Sequence, residues 1–181
     1  MATPNYNKLL FYDTETVGIK PPYIISLGYI LCENNKIVKR DIIKCNPKYH
    51  ISEGASKVNG FTDEMVKDWP TFEEEWPKIA PYFENAILIR HNLPYDIGSI
   101  KAEFKRYNLP ELHGFYVDTL PIARKYIPKP EVPNHKLGTL CEYFGINLEN
   151  AHTADADIYA TMKLFNRLVR ITKGQMDVKE F

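Results

Sequence analysis

Three apolar runs separated by turn residues open the chain, and they restrict its fold more than any other feature. Residues 8–12 (KLLFY) form a short run, and residues 23–32 (YIISLGYILC) form a longer one rich in Ile, Leu and Tyr. Asn34 and Asn35 supply turn chemistry before a third run, residues 36–43 (KIVKRDII). Three antiparallel strands joined by short turns are the simplest reading.

Helical patterns then take over. Thr62 and Thr71 each precede an acidic first turn, the arrangement of a helix N-cap. The segment after Thr71, TFEEEWPKIAPYF, contains Pro77 and Pro81 and is expected to be a broken or kinked helix. Residues 86–90 (AILIR) read as a compact buried strand, and residues 92–107 as a helix that tolerates Pro94 in its first turn. Residues 114–117 are a further short strand, residues 119–126 and 136–144 are helices, and Gly145 occupies the position of a left-handed helix stop. Three prolines make residues 127–134 an extended loop. Residues 153–171 carry the longest helical pattern, and residues 173–181 read as a frayed polar tail. No repeat or domain linker interrupts the order, so residues 1–181 are expected to be one domain with its core at about 8–172. Strands first, then strands alternating with helices, imply an α/β fold: a mixed sheet flanked by helices.

Lys plus Arg balance Asp plus Glu at 23 each, which argues against a strongly basic nucleic-acid binder. It does not exclude a nuclease, in which metal ions offset phosphate charge locally. Cys32, Cys45 and Cys141 are odd in number and lack CxxC spacing, so neither a disulfide framework nor a thiolate zinc site is expected. No run approaches the ~18 apolar residues of a membrane span. The start of the chain has no basic segment followed by a long apolar run. A cytoplasmic protein with no membrane partner is therefore expected.

Acidic residues recur at three junctions. Asp13 and Glu15 follow the first run in FYDTETVG, and residues two apart on a strand share a face. Paired carboxylates repel unless a cation neutralises them, although such pairs also occur as solvated strand ends. Asp96, in HNLPYD (91–96), lies on the helical stripe of Ile100, Phe104 and Tyr107. It could bind a ligand or complement the helix dipole. Asp157, in HTADAD (152–157), falls inside the apolar arc of the last helix, where an unpaired carboxylate is costly. His152 precedes that helix and Asp155 lies just beyond the edge of the arc, where a solvated or dipole-stabilising role is expected.

These three motifs in this order resemble the DEDDh branch of the DnaQ-like 3′→5′ exonucleases. DTET (13–16) is similar to the family's first motif, HNLPYD to its second and HTADAD to its third. The segments ASKVNGFTDEM (55–65) and KLGTLCEYFGI (136–146) extend the resemblance over about residues 9–169. The sister branch carries Tyr four positions before the final acid. Here that position is Thr153, with His152 one residue earlier, which favours the His branch.

The resemblance implies an RNase H-like fold with a five-stranded mixed sheet. It implies two-metal hydrolysis with Mg²⁺ or Mn²⁺ held by Asp13, Glu15, Asp96 and Asp157. Asp13 would bridge the ions and His152 would serve as general base. Thr16, Val17, His91 and Asn92 match positions that line the pocket for the terminal nucleotide; Val17 would wedge against a base. The expected activity is release of nucleoside 5′-monophosphates from single-stranded or frayed DNA 3′ ends, in proofreading or repair, with a polymerase or repair partner in trans. An exoribonuclease acting on RNA 3′ ends or short oligoribonucleotides is the alternative, because sugar discrimination rests on pocket detail. A non-catalytic binding module is disfavoured by the presence of all four acids and the histidine.

Overall fold

The computed structural model describes residues 3–92, 94–148 and 154–181, with the side chains of residues 94–96 and 154 outside the description. Its chain order is β1 (Lys8–Thr16), β2 (Ile24–Glu33), β3 (Lys36–Lys44), α1 (Glu53–Asn59), α2 (Asp63–Val66), α3 (Phe72–Phe83), β4 (Ile87–Arg90), α4 (Pro94–Arg106), β5 (Phe115–Asp118), α5 (Thr119–Tyr126), α6 (Leu137–Tyr143), α7 (Ala154–Ile171) and β6 (Lys179–Glu180). The strands form one mixed sheet in the order β3-β2-β1-β4-β5-β6.

The expected meander is present. β1 pairs antiparallel with β2, and β2 with β3. The β2–β3 turn places Asn34 and Asn35 at positive φ, which Asn tolerates better than most residues. β4 then joins β1, and β5 joins β4, both in parallel.

Side-chain parity divides the core across the sheet. Phe11, Ile30, Ile89 and Val117 pack with α5, α6 and α7 residues such as Ile122, Leu140, Ile158 and Leu164. Leu10, Tyr12, Tyr29 and Leu88 pack on the other face with Phe72, Trp76 and Phe83 of α3 and Ile100 and Phe104 of α4.

Two expectations fail. The segment after Thr71 is one continuous helix despite Pro77 and Pro81. These prolines lie four residues apart on its exposed face, where the carbonyls that lose a donor meet water, while Phe72, Trp76, Ile79 and Phe83 bury the opposite face. Thr71 and Glu74 close a reciprocal capping box at the start of this helix.

The tail does not fray as a whole. β6 pairs antiparallel with β5, and Phe181 exchanges backbone hydrogen bonds with Gly114 at 3.1 and 3.4 Å. The Phe181 ring lies 6.2 Å from that of Tyr116. The sheet therefore has six strands rather than five.

Candidate active site

β1 runs past Tyr12 to Thr16, so Asp13 and Glu15 stand at the end of the first strand, as expected. They continue the parity of Phe11 and therefore belong to the sheet face that α7 covers. Asp13 is 5% exposed. Such burial is costly for a carboxylate without a cation. The partner is Arg90, the last residue of β4, whose guanidinium forms an ion pair with Asp13. The parallel register sets Phe11 opposite Ile89, which brings Arg90 alongside Tyr12. Its Nη1 also donates to the Tyr12 carbonyl at 3.3 Å.

Asp157 lies in the first turn of α7 and is half-buried. Its charge adds to burial in pushing the Cys141 thiol up to about 11, with burial the larger cause. Asp155 is occupied elsewhere. Arg40 on β3 holds it through Nε–Oδ1 at 2.7 Å and a second, Nη2–Oδ2 contact. The guanidinium also lies over the Tyr159 ring. This bidentate clamp fastens the start of α7 to the outer strand.

Asp96 lies in the first turn of α4, with its side chain outside the description, and His152 lies outside the described residues. Among the described residues, no group of three or more metal-capable side chains gathers.

The other four histidines are committed. His91 is buried, its Nδ1 paired with Thr119 Oγ1 at 2.8 Å and its Nε2 with the His135 carbonyl at 2.7 Å. Burial holds its pKa below the ordinary value of 6.5. His135 Nε2 pairs with the Ile127 carbonyl at 2.7 Å. His50 pairs with Asp63. His113 lies before the start of β5, at the opposite end of the parallel strands from Arg90.

A groove of about 500 Å³ runs beside Glu15 and Thr16, walled by Ile19, Ser52, Val58 and Asn59. Thr16 is fixed in it: its hydroxyl donates to the Gly18 carbonyl at 3.1 Å, and Asn59 Nδ2 donates to the Thr16 carbonyl at 3.2 Å. Val17 does not reach this groove. It is 2% exposed and packs with Ile25, Ile51 and Val66, because the chain turns inward as it leaves β1. The large exposed apolar side chains of this groove are Ile19 and Val58, at 75% and 63% exposure.

His91 and Asn92 belong instead to a second groove of about 510 Å³ with Arg124, Asn134 and Lys136. Asn92 has φ 68° and its N–H donates to Asp118 Oδ1 at 2.9 Å, which also caps α5 through Leu120 N at 3.0 Å. Arg90, Ile19 and the Arg40 clamp were not anticipated. Only Ile19 carried a signal, as an apolar residue between Gly18 and Lys20-Pro21, where a turn is expected to be polar.

The exonuclease family model RNase_T matches residues 10–165. The chain belongs to the DnaQ-like exonucleases. The domain is 34% identical over 161 residues to the PolC-type DNA polymerase III of Oceanobacillus iheyensis, covering 88% of this chain and 11% of the polymerase. It is 32% identical over 164 residues to the same polymerase of Caldanaerobacter subterraneus, covering 90% and 12%. The exonuclease domain thus corresponds to a small part of these relatives.

Among solved structures it resembles Exonuclease X in complex with 5′ overhanging duplex DNA, with TM-score 0.72, 25% identity and coverage of 91% and 93% of the two chains. It shares its fold with the nuclease domain of 3'hExo, described as a DEDDh family member bound to rAMP, with TM-score 0.78, 13% identity and coverage of 97% and 98%. The fold is RNase H-like. No helix among the described residues is long and apolar enough to cross a membrane.

Proposed function

We propose that this exonuclease is a metal-dependent 3′→5′ enzyme that releases nucleoside 5′-monophosphates from single-stranded or frayed DNA ends. The observation that carries the reading is the buried Asp13 with Glu15 on the strand face beneath α7, in a chain matched by the exonuclease model. DNA is favoured over RNA because the polymerase relatives and Exonuclease X act on or bind DNA by name. Proofreading beside a polymerase is the role we assign, since the matched part of those relatives belongs to a replicative polymerase.

The donor set of Asp13, Glu15, Asp96 and Asp157 is all carboxylate oxygen, which suits Mg²⁺ or Mn²⁺ rather than thiophilic metals. Two such ions, when bound, stabilise negative charge on the attacking and leaving oxygens. Thr16, Ile19 and Val58 would seat the terminal nucleotide in the groove beside Glu15. His152 would take the proton of the attacking water on a ring nitrogen. Every other histidine of the chain has its ring paired or lies at the far end of the sheet, which supports this assignment. The bond between phosphorus and O3′ of the penultimate nucleotide breaks, leaving a shortened chain with a free 3′ hydroxyl.

The test is mononucleotide release from 3′- and 5′-labelled DNA and RNA in Mg²⁺, Mn²⁺ or EDTA, beside Asp13→Asn and His152→Ala. Release from the 3′ end of DNA that stops in EDTA and falls at least about a hundredfold in both variants is expected. Faster RNA trimming would replace the substrate. Release that survives Asp13→Asn would remove the site.

A further inference from the structure

Arg90 contacts the carboxylate that the proposed metal site needs most. The Arg90 side chain is 18% exposed and that of Asp13 7%, so the pair is shielded from bulk water and little screened. Nη1 is anchored twice, to Asp13 Oδ1 and to the Tyr12 carbonyl. β4 lies parallel to β1 and ends level with Tyr12, one residue before the acid, which the guanidinium reaches as an ion pair. A guanidinium cannot shed its charge at any working pH. Arg90 is therefore a permanent cation beside the buried end of the acid pair.

We propose that Arg90 is a resident counter-ion of Asp13 that competes with the divalent metal, an inference resting on the metal-dependent reading above. In the metal-free protein the guanidinium neutralises Asp13, so the strand stays folded with the acid buried. Metal loading must part the ion pair, and even a metal that took the other carboxylate oxygen would meet the nearby positive charge. Both effects have the same sign, raising the metal concentration required. Arg90 thereby sets the threshold at which the site fills, and loading moves the guanidinium away from Asp13.

The test uses the whole chain as wild type, Arg90→Met and Arg90→Lys, with thermal melting in EDTA and across a Mn²⁺ titration. Arg90→Met is expected to melt lower than wild type in EDTA yet reach half-saturation at a Mn²⁺ concentration at least about fivefold lower. Arg90→Lys, which keeps the charge, should stay close to wild type in half-saturation. Equal or weaker metal binding by Arg90→Met, with a metal-induced rise in wild type, overturns the competition and leaves the metal reading standing. No metal-induced rise in wild type overturns both. Should Arg90→Met not fold, the wild type still decides. On Mg²⁺ saturation the ¹⁵N resonances of the Arg90 guanidinium must shift and its rotation quicken, and an unchanged spectrum overturns the proposal.

Discussion

Glu103 ties α4, which carries Asp96, to the start of β2, and its ionisation should set how stability depends on pH. The carboxyl is 0% exposed. Its Oε1 accepts from Ile24 N at 2.7 Å, while among the described residues Oε2 meets the Arg106 guanidinium at 3.7 Å, beyond hydrogen-bond range. Burial raises its pKa from 4.5 to about 7, against the opposing pull of the Ile24 bond and of Arg106.

The sign follows from which state holds the proton. Between 4.5 and about 7 the folded chain keeps a proton that the unfolded chain has lost. Stability from this group is thus fully present below 4.5, is lost as pH rises through that window and is flat above it. Each unit corresponds to about 1.4 kcal/mol, so wild type should lose about 2–3 kcal/mol from this residue between about pH 5 and about pH 8. Glu103→Gln keeps an acceptor for Ile24 and cannot ionise. Urea unfolding of both proteins in EDTA at the two pH values isolates the contribution, because other groups titrate alike in each. Wild type should weaken relative to Glu103→Gln by about 2–3 kcal/mol. A difference that does not change with pH, or that favours wild type at the higher pH, would mean that Glu103 is ionised throughout and that Arg106 outweighs burial.

Arg40→Ala should cost at most about 1 kcal/mol in urea melts, since both partners of its clamp are about half exposed. It should nevertheless lower kcat several-fold by loosening the turn of α7 that carries Asp157. Ile19→Asp and Val58→Asp should raise KM in the nuclease assay with little change in melting temperature, because both side chains stand exposed at the groove beside Glu15. His91→Ala should lose about 2–4 kcal/mol in denaturant titration by orphaning two buried partners. The His91 contribution in wild type is present above pH 6.5 and lost on acidification below it, opposite in sign to that of Glu103.

The meander, the helix caps at Thr62 and Thr71 and the left-handed Gly145 were legible because each depends on residues within a few positions of one another. The acids could be placed on their elements: Asp13 and Glu15 on β1, Asp96 and Asp157 in the first turns of α4 and α7. β6 was not: Lys179 and Glu180 are exposed and held by backbone bonds, which leave no hydrophobic pattern, and Phe181 is anchored by a strand more than sixty residues away. Val17 was misplaced because its burial depends on Ile51 and Val66, which no local pattern brings near it. The pairing of Arg90 with Asp13 required the parallel adjacency of β1 and β4, and the Arg40 clamp on the half-exposed Asp155 was hidden for the same non-local reason.

The two-face parity of β1 has a further consequence. Leu10 and Tyr12 anchor one cluster and Phe11 the other, with Asp13 and Glu15 next in line. Inserting or deleting one residue between Lys8 and Asp13 would exchange these sets. It would aim the acids at the layer of α3 and α4 and push buried aromatics onto the wrong side. Such a chain would fail to fold before it could fail to cut. Selection on the hydrophobic core therefore also holds the spacing of Asp13 and Glu15, and natural length variation should fall in the loops, with β1 constant in length.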